Sequence, residues 1–353
     1  MPSRTFATAL PDAHSRSAML PSPRPLSGRS PWRALCLLGL SLCLAAAPRA
    51  QSRTETAFDL LRLDPSARLA ALAGTGALDG DDPSALFVNP ARLAPQADRG
   101  LALGYTNLAL DVNAGTAVYS RAVPWLGGLQ LGGGVRFLSY GDFERRTDPD
   151  AEATGTFGAS EAAVTLAASR ELLPRVRVGL ATHALFASID EAGGQALAAD
   201  LGVSYVHAEQ GLMLGASVHH IGVVLSSLGS VGDRLPLDLR VTASKQLRYV
   251  PLTVSVAAVD LHRFEGRAVD SSFVGRALDH LALGGELQLA SAFAVRAGYN
   301  GRRGGDLRTG GRLDLAGVSV GAGIRLRRIS VDYAFSNWGD FGGLHQFGVR
   351  TRL

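Results

Sequence analysis

The chain has 353 residues, 46% of them hydrophobic, and a formal net charge of +4. Residues 1–50 hold six arginines and one aspartate, so the remainder of the chain is close to neutral. A nearly neutral chain lacks the basic surface that nucleic-acid binding requires, and we expect no nucleic-acid partner. Lys245 is the one lysine, which excludes a P-loop and a Ser-x-x-Lys nucleophile.

Residues 1–50 have the pattern of an export signal, with several arginines before an apolar run at 34–44 and small residues after it. We predict a signal peptide that is cleaved near residues 47–50. The apolar run is too short to span a bilayer as a helix. Cys36 and Cys43 both lie in this leader, so we expect no disulfide in the mature chain. A leucine directly before Cys43 disfavours a lipid anchor there.

Residues 51–99 precede the strands and have helical signals. Two Asp-Pro pairs predict two short helices, Pro65–Leu72 and Pro83–Phe87, around a glycine-rich turn. An aspartate such as Asp82 caps a helix, and a proline such as Pro83 suits its first position. A short helical segment ahead of a long array of strands predicts an N-terminal helical plug inside or beneath a barrel.

Asn89 and Pro90 end this segment's second helix, because the residue before a proline is pushed out of the helical region. We expect Asn89 to make a local turn bond that fixes how the chain approaches its first strand near Gly100. The three aspartates between 79 and 82 have two interpretations. They crowd one turn and suggest a calcium ligand set, but helix capping and turn formation explain them more simply.

From residue 100 to the end, side chains alternate with a period of two, which is typical of strands with two different faces. In one such segment Leu131, Val135 and Phe137 share one face, while Gln130 and Arg136 share the other. Charged groups on an inward face are tolerated in a polar lumen and costly against lipid. We count fourteen segments, near 100–110, 114–123, 127–138, 160–170, 175–187, 196–207, 211–222, 235–247, 251–262, 279–290, 292–301, 315–326, 329–337 and 344–353.

The connections between these segments alternate in length. Those after even-numbered segments are short, and those after odd-numbered segments, 188–195 among them, are mostly long. Short turns at one end and long loops at the other are typical of outer-membrane barrels. The sequence therefore predicts an all-β, transmembrane antiparallel β-barrel of about fourteen strands over residues 100–353, in the outer membrane. The alternative is a soluble, exported β-sandwich or β-solenoid.

The inward polar side chains do not assemble a recognisable active site. Carboxylates such as Asp200, Asp238 and Glu286 have arginines nearby, which favours salt bridges over acid–base catalysis. His219 and His220 are neighbours on one strand, so we expect them to face opposite sides and not to share a metal ion. We predict a non-catalytic protein with no cofactor and no metal site.

The N-terminal segment resembles the start of the PorV/PorQ family. The matching pattern runs from Ser66 to Leu93 as S-A-R-x-A-A-L, G-T-G-x-A and D-D-P-S-A-L-F-x-N-P-A-x-L, and it includes Asp82, Pro83, Asn89 and Pro90. Later segments, such as 140–143 and 235–239, are more similar to the PorQ branch than to PorV. The resemblance implies an outer-membrane barrel of the type IX secretion system, similar in fold to the FadL fatty-acid transporters.

That resemblance also implies partners. A PorQ-like barrel is a non-catalytic component that anchors the surface complex attaching secreted cargo to lipopolysaccharide, with PorZ-like, sortase-like and PorV-like proteins and outer-membrane lipid around it. The alternative is a FadL-like transporter of hydrophobic small molecules. A transporter requires a continuous apolar path through the lumen, whereas inward Arg, Asp and Gln favour a filled or polar interior.

Two long connections concentrate aromatic and charged residues, and we expect them to dock a surface partner. Aromatic and arginine side chains dominate protein interfaces, and functional contacts concentrate in loops on a rigid scaffold. The candidate partner-binding residues are Tyr140, Phe143, Arg145 and Arg146 in the connection 139–159, and Phe264, Arg267 and Phe273 in the connection 263–278.

Overall fold

The structure is a computed structural model, and it describes residues 58–76, 80–108, 111–146, 148, 150, 152–228, 233–263, 273–307, 315–339 and 342–353. The predicted signal peptide (1–50) and the candidate loop residues Phe264 and Arg267 lie outside the described residues. Among the described residues, no helix has the length and apolar character that a membrane crossing requires.

Fourteen antiparallel strands close into one barrel, as the sequence predicts. Each strand pairs with its neighbours in sequence, and the first pairs with the last from Gly100 opposite Arg352 to Asn107 opposite His345. The strands are β1 (Gly100–Asn107), β2 (Asn113–Val123), β3 (Leu129–Arg145), β4 (Gly155–Leu173), β5 (Val176–Ile189), β6 (Ala192–His207), β7 (Leu212–Ser226), β8 (Asp238–Gln246), β9 (Leu252–Ala258), β10 (Leu281–Ala290), β11 (Phe293–Asn300), β12 (Val318–Leu326), β13 (Ile329–Asn337) and β14 (Gly343–Arg352).

The two faces of the barrel have the polarity that the alternation predicts. On β3, Gln130 and Arg136 point inward and are 2% and 6% exposed, whereas Leu131, Val135 and Phe137 point outward and are 40–51% exposed. This distribution is the reverse of that in a soluble protein, because the outer wall is apolar and the lumen is polar. Such an outer wall suits lipid.

The lengths of most connections follow the predicted parity. Turns of two residues, such as 291–292 and 327–328, join strands at one end, which we call the short-turn end. The opposite, long-loop end carries connections such as 227–237, 259–280 and 301–317. The long connection predicted at 188–195 is wrong, because β5 and β6 extend into it and leave a two-residue turn. Strands β3–β7 are the longest and raise one side of the long-loop end.

The N-terminal segment lies inside the barrel. It contains one α-helix, α1 (Ala67–Ala71), and 3-10 turns at Asp59–Arg62, Pro83–Phe87, Pro90–Arg92 and Pro95–Ala97. The remaining helices, α2 (Phe273–Asp279) and α3 (Gly301–Asp306), belong to long connections, and two further 3-10 turns, Pro124–Leu126 and Ala208–Gln210, belong to short ones. Helix α1 packs against β11–β14, and Pro90–Arg92 packs against β4–β6.

The predicted helices in this segment are partly wrong in their bounds and type. The first begins at Ala67 rather than Pro65, because Ser66 Oγ accepts the Leu69 N–H at 3.4 Å and acts as the cap. The second has the predicted bounds, but it is a 3-10 turn. Its cap is Asp82, whose Oδ1 accepts the Ser84 N–H at 2.9 Å. The capping interpretation of Asp82 is therefore confirmed.

Asn89 makes the predicted local turn bond, because its Oδ1 accepts the Ala91 N–H at 3.0 Å. Its Nδ2 donates to the carbonyls of Val203 and Ala216, at 3.1 and 3.3 Å, on β6 and β7. A Cβ on Gly202 would lie 2.0 Å from Asn89 Oδ1, so the glycine makes room for this contact. Asn89 thus also ties the segment to β6 and β7, and its influence on the approach to β1 stays a prediction.

Replacing Asn89 by leucine is expected to destabilise the barrel. The change removes three hydrogen bonds at a side chain that is 2% exposed, and each buried group left unsatisfied costs about 1–3 kcal/mol. The loss is measured as a fall in the temperature at which the folded, faster-migrating form disappears on a denaturing gel. Asn107→Leu, at an exposed asparagine on β1, is the control. Equal temperatures for both variants would contradict this role.

Candidate functional site

The long-loop end of the lumen is filled by an apolar cluster, which we call the mouth cluster. Four side chains of the N-terminal segment, Phe58, Leu60, Leu61 and Leu63, are buried there. They pack against small and branched wall residues, which are Ala114, Leu138, Ala163, Leu185, Ala187, Ala196, Ala198 and Leu235. The mouth of the barrel is therefore apolar, in contrast to the lumen below it.

Arg136 anchors the segment beneath the mouth cluster. Its Nη2 donates to the carbonyls of Leu60 and Leu63, at 2.7 and 2.6 Å. The arginine thus holds the backbone of the segment while the neighbouring leucine side chains stay in the apolar layer. At the next step along the segment, the Asp64 carboxylate pairs with Arg303 Nη2 at 2.7 Å.

A chain of alternating charges crosses the middle of the lumen, and we call it the lumen ion network. Arg68 on α1 pairs with Glu286 on β10 at 2.7 Å. Glu286 also pairs with Arg296 at 2.5 Å, and Arg296 pairs with Asp332 at 2.6 Å. Arg350 then joins Asp332 to the segment's Asp82, with N–O distances of 3.4 and 3.3 Å.

The lumen ion network confirms that inward carboxylates pair with arginines. Asp238 likewise pairs with Arg240, at 2.7 Å. Two small cavities between the N-terminal segment and the wall are both lined by Arg68, Asp332 and Arg350. The described part of the lumen below the mouth is thus filled, partly by paired charges, as the inward charges predict, and partly by apolar contacts such as that of Leu86 with Val118.

Asp200 does not pair with an arginine but lies among histidines. Its Oδ2 is 3.0 Å from His219 Nδ1 and 3.1 Å from His183 Nε2. The nitrogen and oxygen atoms that Asp200, His219 and His220 can offer a metal ion lie within 4.8 Å of one another. We call Asp200, His183, His219 and His220 the histidine cluster. The expectation that His219 and His220 face opposite sides is wrong, because both approach Asp200.

A β-bulge explains this arrangement. The pairing of β6 with β7 shifts register between Ala199 and Leu201, opposite His219 and His220. His220 has a φ of 59°, and its N–H donates to Asp200 Oδ1 at 2.7 Å. A bulge places two consecutive residues opposite one and redirects a side chain. Both histidines therefore reach the same carboxylate. The alternation of polar and apolar residues in the sequence does not indicate this bulge.

The outer nitrogens of His219 and His183 are held as well. His219 Nε2 lies 2.7 Å from Ser217 Oγ, and His183 Nδ1 lies 2.8 Å from Thr165 Oγ1. The order Ser217–His219–Asp200 has the connectivity of a hydrolase triad. The Ser217 side chain is buried in the filled lumen, however, and a second histidine contacts the same carboxylate oxygen. This geometry suits ligand binding better than nucleophilic attack.

The candidate partner-binding residues lie mostly on strands. Tyr140, Phe143 and Arg145 belong to the extended β3, where the Tyr140 hydroxyl donates to Glu161 at 2.9 Å. Phe143 stacks on Phe157 with ring centroids 5.4 Å apart, and Arg145 pairs with Asp190. Two other candidates lie outside the strands: Arg146, which follows β3 and pairs with Glu144 at 2.7 Å, and Phe273, which is 67% exposed on α2. The sequence placed the β3 residues in a loop because no face of that hairpin is buried.

These features together define an outer-membrane-type barrel: a closed antiparallel wall with an apolar outside, a polar lumen and an N-terminal segment that fills it. The fold is that of FadL-family outer-membrane barrels. The toluene transporter TodX of Pseudomonas putida matches with a TM-score of 0.56 and 13% identity, over 84% of this chain and 98% of that one.

Two further solved structures have similar coverage. A TodX mutant described as a monoaromatic hydrocarbon channel matches with a TM-score of 0.54 and 12% identity, over 84% and 100% of the two chains. A FadL homologue of Pseudomonas aeruginosa has a TM-score of 0.46 and 13% identity, over 81% and 98%. No protein-family profile and no curated protein matches the chain, so the PorV/PorQ resemblance is not confirmed.

Proposed function

We propose that this chain is an outer-membrane barrel that admits small hydrophobic molecules at its long-loop end. The mouth cluster carries the proposal. It places an apolar layer at the mouth of the barrel, above the lumen ion network, and apolar pockets bind apolar ligands through the hydrophobic effect. The FadL-like fold supports the same reading, because the solved barrels with this fold include a transporter of toluene.

Passage through this barrel requires the N-terminal segment to move. The N-terminal segment fills the described lumen, because it packs on the wall through apolar contacts, such as that of Leu86 with Val118, and through the lumen ion network. A molecule bound at the mouth would displace Phe58, Leu60 and Leu61, which already occupy the apolar layer. The N-terminal segment therefore competes with the ligand for the mouth cluster, and its movement opens the barrel.

Trp338 reports on binding at the mouth, because it packs against the mouth cluster. The chain has three tryptophans, Trp32 in the predicted leader and Trp125 and Trp338 in the barrel. Once the predicted leader is removed, Trp125→Phe leaves one tryptophan. Titration of that purified variant with toluene is expected to change the Trp338 emission and to saturate.

Leu185→Asn in the Trp125→Phe background is the test variant, and Leu166→Asn is its matched control on the outer wall. Leu185 is a buried wall residue of the mouth cluster that would still line the site after the segment is displaced, whereas Leu166 is 65% exposed and faces away from the lumen. We expect at least tenfold weaker toluene binding for the first and unchanged binding for the second. A non-saturating response in the parent, or equal affinities in the two variants, would contradict the proposal.

The type IX secretion role is a second candidate, and the filled lumen favours it. A barrel closed by an ion network suits a surface anchor, and the raised strands β3–β7 present Phe143 and Arg145 above the mouth. In that role, PorZ-like, sortase-like and PorV-like proteins and lipopolysaccharide would be the partners. If the Trp125→Phe protein does not bind toluene and such proteins co-purify with it, the result would favour this candidate over the channel.

A further inference from the structure

We propose that the histidine cluster is a binding site for one divalent first-row transition-metal ion such as Zn²⁺. The site would lie in the wall of the lumen, directly below the mouth cluster, and would join β5, β6 and β7. Transition-metal ions bind sites made of imidazole nitrogens and one carboxylate oxygen, whereas Mg²⁺ and Ca²⁺ prefer oxygen ligands. The inference does not depend on what the barrel admits.

Two distances between the candidate ligand atoms are close to those around a tetrahedral ion. Zinc bonds of about 2.0–2.1 Å place neighbouring ligand atoms about 3.3 Å apart. Asp200 Oδ2 lies 3.0 Å from His219 Nδ1 and 3.1 Å from His183 Nε2, and His220 offers a nitrogen within 4.8 Å of the ligand atoms of Asp200 and His219. Small side-chain rotations bring such a set around one ion.

The surroundings of the cluster orient the histidines as ligands. A metal-bound histidine almost always donates its other ring N–H to a fixed acceptor. His220 Nδ1 lies 2.9 Å from the Pro236 carbonyl, so that nitrogen carries the proton and Nε2 keeps a lone pair. The outer nitrogens of His219 and His183 are held by the hydroxyls of Ser217 and Thr165. Each ring thus has one anchored nitrogen and one left for the cluster.

A second observation points to a ligand at this place. His183 Nε2 is buried and makes no well-aligned hydrogen bond among the described residues, although it lies 3.1 Å from Asp200 Oδ2. Asp200 is fully buried, and the His183 and His219 residues are 4% and 3% exposed. A buried polar atom without a well-aligned partner is costly, and a metal ion coordinated by Nε2 would supply that partner.

The test measures bound metal in the purified full-length mature barrel. Protein stripped with EDTA and then equilibrated with Zn²⁺ is expected to retain one zinc per chain by elemental analysis. With Co²⁺ in its place, the intense visible absorption of a tetrahedral nitrogen and oxygen site is expected. His219→Ala and Asp200→Asn should lower the retained zinc at least tenfold.

Two further variants keep the test decisive. His220→Ala changes a half-buried ligand and is the milder substitution if the other variants fail to fold, which is checked by their migration on a gel without heating. His345→Ala removes an exposed histidine on the outer wall and should leave one zinc bound. The proposal is overturned if the wild-type chain retains no zinc. It is also overturned if folded His220→Ala, or the other folded cluster variants, retain as much zinc as His345→Ala.

Discussion

Replacing Glu286 by glutamine is expected to lower the free energy of unfolding of the barrel by about 3–5 kcal/mol. Glu286 contacts both Arg68, on the N-terminal segment, and Arg296, on the wall. Both arginine side chains are about 5% exposed or less. Glutamine keeps the shape of the side chain but leaves two buried cations with less compensating charge, and an uncompensated buried charge is strongly destabilising.

The loss is measured as a lower unfolding temperature on a gel and as faster proteolysis of the N-terminal segment. Glu209→Gln, at a carboxylate whose side chain is 81% exposed, should change neither. Adding Arg68→Met to Glu286→Gln removes one of the two stranded cations, so the double variant should lose less than the sum of the single losses. Additive losses, or a Glu286→Gln barrel as stable as Glu209→Gln, would show that the network does not hold the segment.

The wall of this barrel is predictable from sequence because its signal is local. An inward polar residue and an outward apolar one alternate along each strand, as Gln130 and Leu131 do, and the fourteen strands follow from that pattern. The Asp82 cap is predictable for the same reason, because cap and helix start are adjacent. In the hairpin that carries Phe143 both faces are exposed to solvent, so polar and apolar residues need not alternate. The sequence therefore predicts a loop there instead of a strand.

The candidate site depends on contacts between distant parts of the chain, and these leave little trace in sequence. The bulge that turns His220 toward Asp200 is a shift in the pairing of two strands, not a property of either. The partners of Asn89 on β6 and β7 are more than a hundred residues away. His183 joins the cluster from a third strand. The two-residue period of the sequence therefore assigns to opposite faces residues that the folded wall brings together.

Locking the N-terminal segment to the wall is expected to abolish transport without unfolding the barrel. A Cβ on Gly348, in β14, would lie 3.6 Å from the Cβ of Ala67 in α1, which is within the range for a disulfide. The mature chain contains no native cysteine, because Cys36 and Cys43 fall in the predicted leader. Ala67→Cys with Gly348→Cys should therefore form a single bond that holds α1 against β14.

A second cysteine pair provides the matched control. A Cβ on Gly80 would lie 3.5 Å from the Cβ of Ala94, and both residues belong to the N-terminal segment. Gly80→Cys with Ala94→Cys therefore links the segment to itself and leaves it free to move away from the wall. Comparing the two oxidised pairs separates an effect of tethering from an effect of disulfide formation alone.

The most direct measurement is the rate of labelled toluene uptake by intact cells that carry the oxidised Ala67→Cys/Gly348→Cys barrel in their outer membrane. If hydrophobic molecules pass when the N-terminal segment moves, uptake should fall at least tenfold toward that of cells without the barrel. Reduction should restore it, and the Gly80→Cys/Ala94→Cys control should stay at the wild-type rate. A locked barrel, with its cross-link verified on a gel, that still admits toluene at the wild-type rate would contradict the proposed gate.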